Sequence, residues 1–362
     1  MKFIHIADLH LDAPFVNLSD KSSFGDLKRI EQRKVFKKVI EYIKKESIPY
    51  LFIAGDLYEQ KYIKLSTIKY INDLFSSIPE TKIYITPGNH DPYLKNSYYN
   101  KYEWAQNVKI FKSEIERIEL EDVDIYGYGF DDFYCTEFNL DELEIVNKEK
   151  VNIFITHATL DGATLEEKQY NSISRKELLA KNFDYVALGH IHKTNYNKNE
   201  IKQNIIYPGS PVALGFDEIG THGIILGDIE KEKIELKYIP ISDSEFKEIY
   251  LDITQIISKE ELIEKIQELE INENEFIKII LIGKRNFEIN IYELYNLNIN
   301  ERIIKIKDKT KINYNLEKMK NETTLKGLFI QEMLEKLDKC ENNQEEKDLI
   351  EKAIEVGLEA LE

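Results

Sequence analysis

The chain has 362 residues, of which 42% are hydrophobic, and a formal net charge of −17 at pH 7. This length predicts two domains, or one large domain with an appendage, and the apolar fraction is sufficient for a full core. The acidic balance argues against uniform attraction to nucleic acid but leaves room for a local basic groove. No stretch approaches the roughly 18 to 20 apolar residues of a membrane helix, and Cys135 and Cys340 fit no metal or redox spacing. We therefore expect a cytoplasmic protein that is neither secreted nor inserted in a membrane.

Strands and helices alternate along most of the chain. Runs of strand-forming residues that end in polar side chains occur at 3–7, 50–54, 83–86, 151–156 and 185–188. Apolar residues at three- and four-residue spacing predict helices at 27–45, 66–75 and 176–180. Plain strands are predicted at 124–129, 205–207, 224–229 and 234–239. This order predicts an α/β fold whose sheets are partly parallel and partly antiparallel, with helices layered on them.

The pattern changes near Ser242. Strands are predicted at 246–253, 276–282 and 302–312, and helices at 289–297 and after the capping box formed by Ser258 and Glu261. Helical spacing at 325–337 and 349–361, with a polar stretch between, predicts a helical hairpin. We expect three domains: residues 1–242, a small α/β domain over 243–320, and the hairpin over 321–362.

Five strand ends deliver side chains that can hold metal ions. The first strand leads to Asp8 and His10, the second to Asp56, the third to Asn89 and His90, the fourth to His157, and the fifth to His190 and His192. Since alternate residues of an extended strand share a side, Asp8 and His10 are expected to converge on a metal, as are His190 and His192. Imidazole, carboxylate and amide ligands without thiolates suit Mn²⁺, Fe²⁺ or Zn²⁺ and disfavour a structural zinc site.

A single ion does not need seven such ligands, so we expect two. A pair of metals roughly 3.5 to 4 Å apart stabilises the attacking and leaving oxygens in phosphoester hydrolysis. Asp56 is the natural bridge, since a carboxylate has two oxygens. We assign the remaining ligands in two sets: Asp8, His10 and His192 to one ion, and Asn89, His157 and His190 to the other. His90 is left over beside the site, where it can protonate the leaving oxygen, stabilise developing charge, or serve as a further ligand.

These motifs carry a family resemblance. Asp8-X-His10, Gly55-Asp56, Gly88-Asn89-His90-Asp91, Thr156-His157 and Gly189-His190-X-His192 match, in order and context, the calcineurin-like metallophosphoesterases. The opening segment 5–12 and the later segment 207–211 resemble more narrowly the DNA repair exonuclease branch, which includes SbcD and YhaO-like proteins. The resemblance implies a two-sheet αββα sandwich, the metal and histidine roles assigned above, manganese as the usual metal, and a small capping domain after the phosphoesterase domain.

The same resemblance implies a function and partners. We expect a two-metal phosphodiesterase acting on DNA, in which a metal-bridging hydroxide attacks phosphorus and His90 assists the leaving oxygen. A coiled-coil ATPase of the SbcC kind is the implied partner, and family nucleases often act as dimers with it. Two alternatives stay open: a phosphodiesterase or phosphatase for nucleotides or small esters, and a scaffold on an inactive phosphoesterase fold.

Other polar residues near the motifs receive a structural interpretation. Asp91 is expected to orient a neighbour or cap the turn, and His5 and His222 are expected to pack in or beside their strands. Asp12 either supports His10 through a hydrogen bond or is exposed to solvent.

Three further features bear on the substrate and partner. Aromatic residues interleaved with lysines between positions 93 and 104 can stack on bases, or pack on their own domain. Four lysines at alternate positions from Lys305 to Lys311 share one face of a predicted strand, where they can follow a nucleic-acid backbone or prevent edge pairing. The hairpin can dock a partner helix or pack on its own chain.

Overall fold

The computed structural model describes residues 1–15, 24–135, 138–162, 170–200, 203–297, 299–340 and 343–361. Within these ranges no helix combines the length and the apolar character needed to cross a bilayer. The chain divides into two compact units. The first contains Met1–Ile249, Ile271–Lys278 and Glu301–Lys305, and the second contains Tyr250–Glu270, Ile279–Asn300 and Ile306–Glu362. The three-domain division of the sequence stays a prediction.

A six-stranded mixed sheet forms one layer of the first unit. Its strands are β1 (Lys2–Ile6), β2 (Tyr50–Ala54), β3 (Lys82–Thr86), β4 (Val108–Ile110), β12 (Gly223–Glu230) and β13 (Lys233–Pro240). The order is β13–β12–β1–β2–β3–β4. The strands β1 to β4 are parallel to one another, with Ile4 opposite Leu51, and β12 and β13 are antiparallel additions.

A five-stranded sheet forms the second layer. Its strands are β5 (Glu116–Glu119), β6 (Val123–Tyr128), β7 (Val151–His157), β10 (Tyr185–Gly189) and β11 (Ile205–Ile206). The order is β11–β10–β7–β6–β5, and all neighbours are parallel except β5 against β6. The short strands β8 (Thr159–Leu160) and β9 (Ser172–Ile173) pair in parallel beyond β7.

Alternation of side chains explains how these layers pack. One face of β1 turns Phe3 toward the second sheet, where its ring centroid is 4.7 Å from that of Tyr185. The other face packs against helices α1 (Phe24–Glu46) and α2 (Leu65–Ser76), whose Phe36 and Phe75 rings meet at 5.8 Å. Leu178 of helix Arg175–Ala180 covers the outer face of the second sheet. The result is the expected αββα sandwich.

The remaining helices are short except for the last two. They span Tyr98–Lys101, Lys259–Gln267, Ile291–Asn296, Leu316–Met319, Leu325–Lys339 and Gln344–Ala360, with a 3₁₀ turn at Leu140–Glu142. Half of the predicted capping box is present: the Ser258 side chain accepts a hydrogen bond from the Glu261 N–H, but the Glu261 carboxylate accepts from the Ile257 N–H instead of the Ser258 N–H. A third sheet has the order β14 (Glu245–Asp252), β15 (Glu275–Ile282), β17 (Ile303–Asp308).

The predicted helical hairpin is confirmed. Its two helices bury Ile330, Ile354 and Leu358 between them. Gly357 allows the close approach, because a Cβ there would lie 2.3 Å from the Phe329 ring. The second helix begins at Gln344, earlier than expected, because the Asn343 side chain accepts a hydrogen bond from the Glu346 N–H and caps it.

The prediction of one strand over 302–312 is wrong, because the observed strand is shorter. It ends at Asp308, whose side chain accepts hydrogen bonds from the Thr310 N–H and hydroxyl at 2.8 and 2.6 Å. This local turn competes with the extended conformation. Lys311 then begins a separate strand, β18 (Lys311–Ile312), which pairs with β16 (Lys284–Arg285). The four lysines therefore do not share one face of one strand.

The packing of α1 makes a prediction about stability. Phe36 is fully buried, whereas Ile30 on the same helix is 47% exposed. We expect Phe36→Ala to lower the free energy of unfolding by about 3–5 kcal/mol, since the change leaves a cavity in the core. Urea denaturation followed by circular dichroism measures this loss, and Ile30→Ala is the matched control. Equal losses in both variants would contradict the packing described.

Candidate metal centre

The predicted ligands follow the carboxyl ends of parallel strands in both sheets. β1, β2 and β3 of the first sheet lead to Asp8 and His10, to Asp56, and to Asn89 and His90. His157 is the last residue of β7, and His190 follows the end of β10. Since the two sheets stack with these edges on the same side, the structure brings all seven predicted ligands into one contact network.

The backbone conformation at these ligands differs from the extended strand that we expected. Asp8, His10, Asp56 and His190 have positive φ angles of 55°, 48°, 53° and 102°. These residues lie beyond the strands, so the expected alternation along an extended strand is wrong although the side chains do converge. Left-handed conformations of such residues cost on the order of 1–3 kcal/mol each and persist only where the surroundings enforce them.

Backbone hydrogen bonds and small residues enforce these conformations. The His10 N–H donates to the Asp56 carbonyl at 2.9 Å, and the Asp8 N–H donates to the Gly55 carbonyl at 3.1 Å. A Cβ on Gly189 would lie 1.8 Å from the Ala54 carbonyl oxygen, so only glycine lets the two sheets meet here.

One group of donors consists of Asp8, His10 and His192, whose ligand atoms lie within 4.8 Å of one another. The Nε2 atoms of His10 and His192 are 3.2 Å apart. Both rings therefore direct a nitrogen toward the same point. These are the three residues assigned from the sequence to one ion.

A second group consists of Asp8, Asp56 and His157, again within 4.8 Å. Nε2 of His157 is 2.9 Å from Asn89 Oδ1 and 3.3 Å from Asp56 Oδ2. The His190 ring lies 5.2 Å from the His157 ring, between centroids. Asp56 Oδ2 is also 3.7 Å from His10 Nε2, so this carboxylate contacts both groups.

His90 stands at the edge of the centre, with 44% of its side chain exposed. Its ligand nitrogen forms a third group with His10 and Asp56, and its backbone N–H donates to Asp56 Oδ1 at 2.8 Å. The neighbouring Asp91 accepts hydrogen bonds from the N–H groups of Gly88, Asp56 and Leu57. Asp91 therefore holds the turn, as expected.

Two carboxylates that the sequence analysis missed support the histidines. Glu59 accepts from His10 Nδ1 at 2.8 Å with one oxygen and from His90 Nδ1 at 3.0 Å with the other. Glu218 accepts from His192 Nδ1 at 2.6 Å. A carboxylate on Nδ1 leaves Nε2 to face a metal or a substrate. Glu59 follows Asp56 by three residues, which is a usable sequence signal, but Glu218 has no such spacing.

The carboxylates raise the proton affinity of several imidazoles. Burial disfavours the charged ring of His90, but the Glu59 hydrogen bond and the Asp56 charge outweigh burial and raise its pKa to about 9. The pKa values of His157 and His192 also rise to about 9, because Asp56 and Glu218, respectively, outweigh burial. Burial and the His157 charge instead lower the pKa of His190 to about 3. The centre therefore attracts positive charge.

The remaining histidines and Asp12 are structural. Nδ1 of buried His5 is 2.8 Å from the Tyr185 hydroxyl, and burial lowers its pKa to about 3. Both ring nitrogens of His222 contact backbone carbonyls. Asp12 is buried and accepts hydrogen bonds from Arg33 and Thr67, so neither interpretation offered for it is correct.

The aromatic loop after His90 packs on its own unit. Tyr99 is buried and donates to Asp91, and the indole of Trp104 donates to the Tyr98 carbonyl. Tyr93 and Tyr102 pack against the helix-covered core of the first sheet. These contacts favour the packing alternative for most of the loop.

Comparison with known proteins identifies the family of this chain. The sequence model of the calcineurin-like phosphoesterases matches residues 1–194, more than half of the chain. The chain belongs to this family, and the resemblance seen in the sequence is confirmed.

Individual relatives are more distant. The chain is 27% identical over 265 residues to the uncharacterized metallophosphoesterase YhaO of Bacillus subtilis, covering 70% of this chain but only 64% of YhaO. It is 27% identical over 273 residues to the SbcD component of the nuclease SbcCD of Staphylococcus saprophyticus, covering 67% of this chain and 69% of that protein. A purple acid phosphatase from yellow lupin superposes with a TM-score of 0.40 at 13% identity, covering 67% of this chain and 52% of the phosphatase.

The pKa values predict how metal binding depends on pH. A divalent cation binds the neutral imidazole, so a cation held by His157 and His192 would have to displace their protons at pH 7, because their pKa values are about 9. We expect Mn²⁺ binding at pH 7 to release protons, and the affinity to rise as the pH approaches 9. Isothermal titration calorimetry in two buffers of different ionisation enthalpy counts the protons. An enthalpy independent of the buffer would contradict this expectation.

Proposed function

We propose that this protein is a two-metal phosphodiesterase that acts on DNA. The observation that carries the proposal is the convergence of five strand ends on one cluster of carboxylate, imidazole and amide donors. Two divalent cations bound there would supply an activated water and neutralise charge on the phosphate. Manganese is the proposed metal because the resemblance to the DNA repair exonuclease branch implies it; the nitrogen and oxygen donors also suit Fe²⁺ or Zn²⁺.

The proposed ligands form two sets. Asp8, His10 and His192 would hold one cation, and Asn89, His157 and His190 the other. Asp56 would bridge the two, because its Oδ2 atom lies near a histidine of each set. The fit is chemical as well as geometric, since buried carboxylates that raise imidazole pKa values also favour bound cations.

His90 is proposed as the residue that protonates the leaving oxygen. Glu59 fixes its Nδ1, and the Asp56 hydrogen bond to its backbone fixes the turn, so the ring is oriented while its edge stays accessible. A positioned imidazolium of this kind typically contributes a 10²- to 10⁴-fold rate increase, in order of magnitude.

Aromatic rings beside the centre favour a nucleic-acid substrate. The Tyr170 ring lies 4.8 Å from the His190 ring, and the Tyr134 ring, 56% exposed, lies 6.1 Å from Tyr170. Exposed aromatic rings near a phosphate site offer stacking surfaces for bases, each worth about 1–3 kcal/mol. The name of the staphylococcal relative, part of a nuclease, supports the same choice. The packed loop after His90 and the net charge of −17 favour the alternative, a phosphodiesterase or phosphatase for nucleotides or small esters.

We further propose an SbcC-like coiled-coil ATPase as partner. The staphylococcal relative is one component of a nuclease named SbcCD. The helical hairpin exposes Leu325, Leu328 and Leu349 by 62–69%, which offers apolar contacts to a partner helix. A homodimer and a cytoplasmic location belong to the same proposal.

The substrate proposal predicts a nuclease activity. We expect the protein with Mn²⁺ to degrade end-labelled DNA, and Asp56→Asn to lose at least 100-fold in rate together with bound metal, because Asp56 contacts both donor groups. Gel analysis of labelled single- and double-stranded DNA measures the rate. The small-ester alternative would be favoured if the protein hydrolysed bis-p-nitrophenyl phosphate but did not degrade DNA, even after addition of an SbcC-like ATPase.

The role of His90 makes a separate prediction. We expect His90→Asn to lower turnover by about 10²- to 10⁴-fold, since the leaving oxygen loses its proton donor. The loss should be smaller for a p-nitrophenyl leaving group, which departs without a proton. Metal content, measured by inductively coupled plasma mass spectrometry, should stay at the wild-type level. Unchanged turnover on DNA would refute the role of His90.

A further inference from the structure

A cavity of about 690 Å³ adjoins the candidate metal centre. It begins at His190 and His192 and runs between the loop after β10 and the loop before β12. Two proposed metal ligands form part of its wall. A group bound in the cavity would therefore lie next to a phosphate held by the metals. Its volume lies within the range of about 300–1,000 Å³ typical of small-ligand sites.

Three side chains make the cavity partly apolar. Ile191 and Ile219 are 38% and 54% exposed, and the Tyr238 ring is half-buried beside them. The Tyr238 hydroxyl donates to the Thr221 carbonyl at 2.9 Å, which fixes the ring. A planar, uncharged group bound against these apolar side chains would remove apolar surface from water without burying a charge.

Two polar side chains of the wall, those of Glu218 and His222, are already hydrogen-bonded within the protein. One oxygen of Glu218 accepts from His192, and the other accepts from Ser210 Oγ at 2.8 Å and from the Leu214 N–H at 3.0 Å. His222 contacts the Ser210 and Glu218 carbonyls. The wall is therefore rigid, and the Glu218 charge is compensated before a ligand enters.

Lys193 supplies a positive charge at the rim. It directly follows His192, its side chain is exposed, and no hydrogen bond or ion pair joins its ammonium group to the residues that the structure describes. The exposed carboxylate of Asp217 on the opposite loop disfavours a second phosphate inside the cavity. A phosphate is therefore favoured beside Lys193 and an uncharged group within.

We propose that this cavity is the subsite for a nucleoside attached to the scissile phosphate, with its base against Ile191, Ile219 and Tyr238 and the next phosphate of the strand beside Lys193. The inference rests on the proposed phosphodiesterase function and adds to it the residues that select a nucleotide over a simple ester.

The test compares diesters that share a leaving group. Methyl p-nitrophenyl phosphate and thymidine p-nitrophenyl phosphate, the latter as its 5′ and 3′ esters, differ only in the group that would enter the cavity. We expect the wild-type protein with Mn²⁺ to show a kcat/KM at least tenfold higher for one thymidine ester. Ile219→Glu should abolish this advantage, so that the thymidine and methyl esters are hydrolysed with similar kcat/KM. Val146→Glu, at a 67% exposed position outside the cavity lining, is the matched control and should change neither rate.

A binding measurement provides a second readout. Calorimetry with thymidine 5′-phosphate should show at least tenfold weaker binding to Ile219→Glu than to the wild-type protein or to Val146→Glu. An unchanged thymidine preference and unchanged binding in Ile219→Glu would overturn the subsite. Failure of the wild-type protein to hydrolyse any of the three esters would instead overturn the proposed function, and the subsite with it.

Discussion

The contact that the rest of the structure depends on is the Asp56 carboxylate between the two sheets. Its Oδ2 atom is 3.7 Å from Nε2 of His10, which follows a strand of the first sheet, and 3.3 Å from Nε2 of His157, which ends a strand of the second. One carboxylate can touch both rings only if the strand ends nearly collide. The absence of a side chain at Gly189, over the Ala54 carbonyl, is the structural consequence. The contacts of Asp56 with both histidines therefore limit the distance between the two sheets.

Burying this charge has a second consequence for the surrounding residues. Isolated carboxylates in a core cost several kcal/mol, in order of magnitude, unless donors or cations compensate them. Asp8 accepts the His190 backbone N–H, Asp56 accepts that of His90, and imidazoles surround both. His157 lowers the pKa of Asp56 against the effect of burial. The same field favours a proton on the imidazole or a divalent cation in its place.

Much of this site could be predicted from the sequence, for a physical reason. Strands that are buried on both faces are largely apolar, so a polar side chain shortly after one, such as Asp56, stands out. The left-handed backbone of Asp8 and His10 could not be predicted in this way, since it depends on hydrogen bonds to the neighbouring strand. Glu218 lies 26 residues from His192, and only the folded chain brings the two together. The turn at Asp308 was missed because a local side-chain bond overrode an alternating strand pattern.

The donor cluster alone does not distinguish DNA from a small phosphate ester, because in either substrate it would face only the phosphate. Selection must come from groups that reach the rest of the substrate, and two such surfaces begin at the same histidine. The Tyr170 ring lies 4.8 Å from the His190 ring, and the cavity lined by Ile219 starts at His190 and His192. A group bound on either surface would therefore lie beside His190, a proposed metal ligand. Binding energy from these remote groups can orient the phosphate as well as retain the substrate. Both surfaces lie on loops, so substrate preference can change while the strand ends that place the ligands stay the same.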